Sequence, residues 1–250
     1  MMRTFFPALL LLGLFLVFEG NAGAISFDIK PVKIFFDADV KAEKLTIKNS
    51  GENDLTLQLK IYKWSQDAEG KDLYEETADV ILFPRILKMG KGEEKIVRIG
   101  TQLAPAAVEG TFRIYIEEIP ETRETQEGAA VSFVTRAGVP LFRTPLKADA
   151  RGKVESLSVK NGNIEAKVRN EGNLHFIIKS VRFRITNPEG KETFSQEAGG
   201  WYLLSGASRV YSASIPGNVC KSGNKLDVEV KTSRFVLKSA LNLDGSMCGP

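Results

Sequence analysis

Along much of the chain, polar and apolar residues alternate one for one. Lys44-Leu45-Thr46-Ile47-Lys48-Asn49, Leu55-Thr56-Leu57-Gln58-Leu59, Phe112-Arg113-Ile114-Tyr115-Ile116 and Lys225-Leu226-Asp227-Val228-Glu229-Val230 each put their apolar side chains on one face of an extended backbone. A period of two is that of half-buried antiparallel strands. Between these runs stand Asn49-Ser50-Gly51, Asn161-Gly162 and Asn187-Pro188-Glu189-Gly190. Such clusters supply the positive or preset φ that tight turns require. No long stretch has the period of an amphipathic helix. Many short strands with frequent turns predict an all-β protein built of β-sandwiches.

Two segments break this pattern. At the start, Arg3 precedes an uncharged apolar run from Phe5 to Phe18, Glu19 to Asn21 interrupt it, and Ala22-Gly23-Ala24 follows. A positive start, a short apolar run and a small-x-small end are the marks of a secretory signal peptide. The run falls short of the ~20 residues of a spanning helix. Residues 1–24 are therefore expected to be a signal peptide, cleaved after Ala24, with no membrane insertion of the mature chain. The second break is Lys147-Ala148-Asp149-Ala150-Arg151-Gly152-Lys153, which follows Pro145 and is polar and small. It predicts a linker over 146–153 between one domain at 25–145 and another at 154–250. An internal echo agrees with two similar modules: Ile47-Lys48-Asn49-Ser50-Gly51 and Val168-Arg169-Asn170-Glu171-Gly172 are both a strand end turning through Asn-x-Gly.

Charge and candidate chemistry narrow the function. The net charge of +3 is small and the charges are interspersed, which argues against a nucleic-acid partner. The two cysteines, Cys220 and Cys248, predict one disulfide in an exported chain. There is no Gly-x-Ser-x-Gly elbow and no His/Cys spacing for zinc, so neither a catalytic residue, a metal nor a cofactor is expected. The single histidine, His175, lies in an apolar stretch and reads as a packed or edge residue. Gly90-Lys91-Gly92 reads as a turn between strands, and Glu117-Glu118 point to opposite faces of one strand. Trp201 and Tyr202 read as core or interdomain packing.

The most informative stretch runs from Thr111 to Pro145. A strand ends in Glu118-Ile119-Pro120, a polar loop follows, and then comes a long β-rich run from Ala130 to Phe142. Pro140 lies within that run, and a proline has no N–H for a ladder, so the run belongs at a sheet edge or a bulge. An apolar edge left open invites pairing with another chain.

These residues resemble the periplasmic pilus-assembly chaperones of the chaperone–usher pathway. The resemblance rests on Ile25-Ser26-Phe27 through Lys33-Ile34-Phe35-Phe36-Asp37, on the strand ending in Glu118-Ile119-Pro120, and on Gly138-Val139-Pro140-Leu141-Phe142 with Gly199-Gly200-Trp201-Tyr202-Leu203-Leu204. The last two motifs are most similar to the archaic or alternative branch. The resemblance implies two immunoglobulin-like sandwiches in a boomerang arrangement. It also implies a chaperone that lends an edge strand to an incomplete pilus subunit and passes it to an outer-membrane usher. The lent side chains would be Val131, Phe133 and Thr135, which share one face. The family also anchors the subunit's terminal carboxylate with a basic pair. Lys33 stands at one of its positions but Pro140 at the other, so Lys33, Arg136 and Arg143 are the anchor candidates. The competing expectation is an exported structural or adhesive sandwich protein displayed in a surface fibre.

Overall fold

The computed structural model describes residues 27–37, 39–120 and 134–248. The signal-peptide expectation for 1–24 therefore lies outside the described residues. Among the described residues, ten strands form the first half: β1 (Phe27–Lys30), β2 (Ile34–Phe36), β3 (Ala42–Asn49), β4 (Leu55–Gln66), β5 (Asp72–Glu76), β6 (Val80–Phe83), β7 (Ile86–Met89), β8 (Glu94–Thr101), β9 (Gly110–Glu118) and β10 (Arg136–Arg143). The second half holds β11 (Gly152–Lys160), β12 (Asn163–Asn170), β13 (Phe176–Thr186), β14 (Glu192–Gly199), β15 (Tyr202–Leu203), β16 (Ser208–Ser214), β17 (Lys225–Thr232) and β18 (Val236–Asn242). One helical turn and a half, α1 (Gly217–Ser222), and a 3-10 turn at Gly245–Met247 complete it. The all-β expectation holds.

The strands form two sandwiches. In the first, the sheet β1-β3-β8-β6 faces the sheet β2-β10-β9-β4-β5, with β7 also on β4. Alternation does what the sequence pattern demands: Leu45 and Ile47, Leu57 and Leu59, Val97 and Ile99, and Ile114 and Ile116 meet in one core. In the second, β11-β12-β16 faces β14-β13-β17-β18, with β15 on β13, around Val168, Phe183, Ile185, Leu226 and Val228.

The Asn-x-Gly echo is structural. Asn49 and Asn170 are both fully buried at matching corners. The Asn49 amide donates to the carbonyls of Asn53, Met89 and Gly90, and its Oδ1 accepts from the Gly51 N–H at 2.9 Å. The Asn170 amide donates to Leu174 and Leu203, and its Oδ1 accepts from the Gly172 N–H, again at 2.9 Å. Each asparagine satisfies backbone groups that the turn would otherwise strand in the core.

The sandwiches are clasped together. Trp64 and Phe142, from the first, are buried in the second one's hydrophobic cluster beside Tyr202 and Phe176. Around this contact the Gln66 amide donates to the Tyr202 carbonyl and accepts from the Leu204 N–H, while Arg209 Nη2 donates to the Gly70 carbonyl at 2.7 Å. Glu109 completes the clasp. Its Oε2 accepts from the backbone N–H of His175 and lies 2.8 Å from that residue's Nδ1, with both side chains buried. The His175 ring stacks on Phe142 at 3.7 Å between centroids. Its packed reading is borne out, across the two sandwiches rather than within one.

Gly70 is the tightest point of the clasp. Its φ is +78°, and a Cβ there would lie 2.5 Å from the Ser208 carbonyl oxygen. Gly70→Ala is expected to destabilise the protein by about 2–3 kcal/mol, from left-handed backbone plus a backbone collision. Gly92 has a similar φ of +72° but open space around it. Gly92→Ala therefore isolates the backbone share, and equal losses for the two in urea unfolding would rule out the interdomain collision.

Candidate functional site

The site is built on the outer face of the sheet β2-β10-β9-β4-β5. Core residues of β4 occupy odd positions up to Ile61, so Tyr62 and Trp64 face outward. On β9 the outward residues are Thr111, Arg113, Tyr115 and Glu117. In the ladder, Arg113 stands opposite Tyr62 on one side and opposite Pro140 on the other.

The β10 strand explains why this face matters. Its full length pairs antiparallel with β9, but β2 pairs with it, in parallel, only over Leu141 to Arg143. The edge expectation is thus corrected in extent: β10 is an interior strand at its end, and among the described residues its edge is open only from Arg136 to Pro140. Pro140 marks the boundary, where a missing N–H costs no ladder bond to β2.

The residues expected to be lent divide. Val131 and Phe133 lie outside the described residues. Thr135 is half-buried, its carbonyl accepts from the Glu118 N–H at 3.0 Å, and it prolongs the β9–β10 ladder. By the period of two it shares its face with Ala137, Val139 and Leu141, which pack into the first core.

The three anchor candidates sit in different surroundings. Arg143 is buried and its Nη1 donates to the carbonyls of Asp37 and Val40. It braces the turn after β2. Arg136 pairs with Glu117 at 2.8 Å and lies 3.7 Å over the Tyr115 ring. Lys33 is half-buried with its Nζ 5.5 Å from the centroid of Tyr202, and forms no ion pair among the described residues.

The residue that the sequence pattern hid is Arg113. Its guanidinium carbon lies 4.9 Å from the Trp64 ring centroid and 5.4 Å from that of Trp201. Its Nε and Nη1 are buried without a hydrogen-bond partner among the described residues. Gly138 makes room for it, since a Cβ there would come within 2.9 Å of Arg113 Nε. A buried donor normally finds a partner, so an arginine with two orphaned donors at an open strand edge is suited to accept an oxyanion.

An aromatic floor extends from this slot. Tyr115 meets Tyr62 at 5.9 Å and Tyr74 at 5.4 Å, both edge to face. Burial, then the hydrogen bond to Tyr115 and the charge of Asp72, push the Tyr74 hydroxyl well above the usual phenol range. Among the described residues no group of three or more His, Cys, Asp or Glu side chains is placed to hold a metal ion, and no helix is long and apolar enough to cross a membrane.

Comparison with known proteins places this fold. The family model described as pili and flagellar-assembly chaperone, PapD N-terminal domain, matches residues 26–149. No curated protein matches the chain. Among solved structures, the chain is similar to one from the CsuC–CsuE chaperone–tip adhesion subunit pre-assembly complex of archaic chaperone–usher Csu pili of Acinetobacter baumannii. The TM-score is 0.60, with 20% identity over 85% of this chain and 98% of that one. It is similar to the Pseudomonas aeruginosa CupB2 chaperone at a TM-score of 0.53 and 15% identity, covering 87% and 100%. A chain of the Salmonella enterica SafA pilin–SafB chaperone complex gives 0.53 and 15%, covering 87% and 97%. These likenesses carry the two-sandwich fold across nearly the whole of each relative. With the fold and the N-terminal model in agreement, residues 26–149 are a domain of the pili and flagellar-assembly chaperone, PapD N-terminal kind.

Proposed function

We propose that this chain is a periplasmic chaperone that holds incomplete pilus subunits by lending them the strand that leads into Pro140, and delivers them to an outer-membrane usher. The observation that carries this reading is the open edge of β10 from Arg136 to Pro140, lying directly beside the orphaned guanidinium of Arg113. Solved relatives of this fold are held in complexes with a tip adhesion subunit and with a pilin. In this reading the signal peptide 1–24 supplies export, and the disulfide suits an oxidising compartment. The two domains are 25–145 and 154–250, and the chain performs no catalysis.

Two forces divide the work of binding. Backbone pairing along the open edge fixes register, at about 1 kcal/mol net per hydrogen bond. Val131 and Phe133, entering the partner's core, add about 1.5–3 kcal/mol each. The terminal carboxylate of the partner then sits on Arg113, with Lys33 as the second cation. Arg113, opposite Pro140 in register, takes over the charge that a lysine at 140 would have supplied.

Phe133→Arg tests the strand. Co-expressed with its cognate subunit, the variant is expected to lose the soluble complex while the free chaperone keeps its thermal midpoint. A variant that still co-purifies with the subunit at wild-type yield would exclude strand donation through this residue.

A further inference from the structure

Trp201 comes from the second sandwich, yet it closes the arginine slot of the first. It enters between Gly200 and Tyr202. A Cβ at Gly200 would lie 2.0 Å from the Ile178 carbonyl oxygen, and the Trp201 carbonyl accepts from the Ile178 N–H at 2.9 Å. The backbone is therefore held tightly. The indole is held as well: Nε1 donates to Asp72 Oδ2 at 2.8 Å. Asp72 is fixed in turn, with its Oδ1 accepting from the Gln66 amide at 2.9 Å and its Oδ2 from the Tyr74 hydroxyl at 3.3 Å. The Arg113 guanidinium lies over the Trp201 indole as well as over that of Trp64. Trp64 is 1% exposed and Trp201 37%, so one wall of the slot is core and the other borders solvent.

We infer that Trp201 is a positioning residue for carboxylate binding. It keeps the Arg113 guanidinium flat and poor in water, and Asp72 pins it in place. This inference rests on the reading of Arg113 as the anchor. A stacked guanidinium keeps its in-plane N–H groups free for a carboxylate, and a drier surrounding strengthens that pairing. The ligand class is a chain-terminal carboxylate at the end of an extended peptide. Because Asp72 and Trp201 belong to different sandwiches, the anchor is complete only when the two are clasped. The Trp201–Asp72 bond is thus expected to set affinity without touching the ligand.

The experiment uses the full mature chain, 15N-labelled, titrated with N-acetyl-Val-Thr-Val bearing a free carboxylate and with the same tripeptide as its C-terminal amide. The Arg113 Nε–H resonance, identified by its loss in Arg113→Met, is followed. The carboxylate form is expected to shift it and the amide form is not. Trp201→Ala is expected to weaken the carboxylate response about tenfold, the scale of one desolvated cation–π contact. Trp201→Phe keeps a face but no donor and is expected to recover part of the loss, while Asp72→Asn is expected to weaken binding about threefold for one altered hydrogen bond. Far-UV circular dichroism and thermal midpoints establish that each variant is folded. Wild-type affinity in both Trp201→Ala and Asp72→Asn, with the carboxylate shift intact, overturns the role of Trp201 and leaves the anchor standing. An Arg113 resonance in the wild-type protein that ignores the carboxylate overturns the anchor, and this inference with it.

Discussion

Arg113→Met is expected to abolish capture of the subunit while leaving the free protein as stable as before, or more stable by about 1 kcal/mol. The two effects have opposite signs for one reason. In the free protein, Arg113 Nε and Nη1 are buried and unpartnered, and an unsatisfied buried donor costs about 1–3 kcal/mol. Stacking on Trp64 and Trp201 offsets part of that cost, at about 0.5–2 kcal/mol for a cation over a ring. Methionine keeps the apolar contact with both rings and removes the orphaned charge. In the complex the account reverses. A carboxylate brought to the slot would then be buried without its partner, at about 3–5 kcal/mol, a loss of a hundredfold or more in affinity. Arg113→Lys should fall between, since it keeps charge but loses the planar fork. Calorimetric titration of the subunit complex and thermal unfolding of the free chaperone check both signs together. Undiminished affinity in Arg113→Met would move the anchor elsewhere, with Lys33 the next candidate.

The second large effect concerns the far end of the second sandwich. Cys220 on α1 and Cys248 after the 3-10 turn are joined across 28 residues, and both are buried. Closing a loop of that length restrains the unfolded chain by about 3–4 kcal/mol. The cystine also ties α1 and the 3-10 turn to the second core, which includes Leu226 and Ile185. The double change Cys220→Ala with Cys248→Ala is expected to lower the midpoint of this sandwich by roughly 12–30 °C, at about 4–8 °C per kcal/mol for a domain of this size. A scan with and without a reducing agent provides the same comparison in the unaltered chain. A drop of only a degree or two in the double variant would show that the core holds this end without the cross-link.

The sequence carried the fold well because its message is local. A period of two and asparagine–glycine corners are written in consecutive residues, and a buried asparagine at each corner repeats the same hydrogen bonds in both halves. Pro140 correctly marked an edge, although β2 closes part of it, a pairing set more than a hundred residues away along the chain. The proposed anchor was harder to read. Arg113 lies in an ordinary alternating strand and resembles a solvated outward residue. Only folding brings Trp64 from β4 and Trp201 from the second sandwich against its guanidinium. One local signal was present: Trp64 sits on the outward parity of β4, where a large aromatic is out of place unless another body covers it. Arg143 shows how much parity decides. It is charged and close to the motif, but its parity turns it inward to carbonyls of its own sandwich.

The way β2 stops the open edge has a further consequence. A strand laid along β10 in the same direction runs out of free edge at Leu141, and Arg113 stands opposite Pro140 at that stop. In the proposed complex, stop and charge together would make a ruler that counts the partner's residues from its carboxyl end. One residue too many would turn the side chains of the partner's own strand to the wrong face, because the strand repeat is two. Partners held here must then share a fixed distance from their last residue to their open groove. An affinity tag on a partner belongs at its amino end, since one at the carboxyl end would be measured as part of the strand.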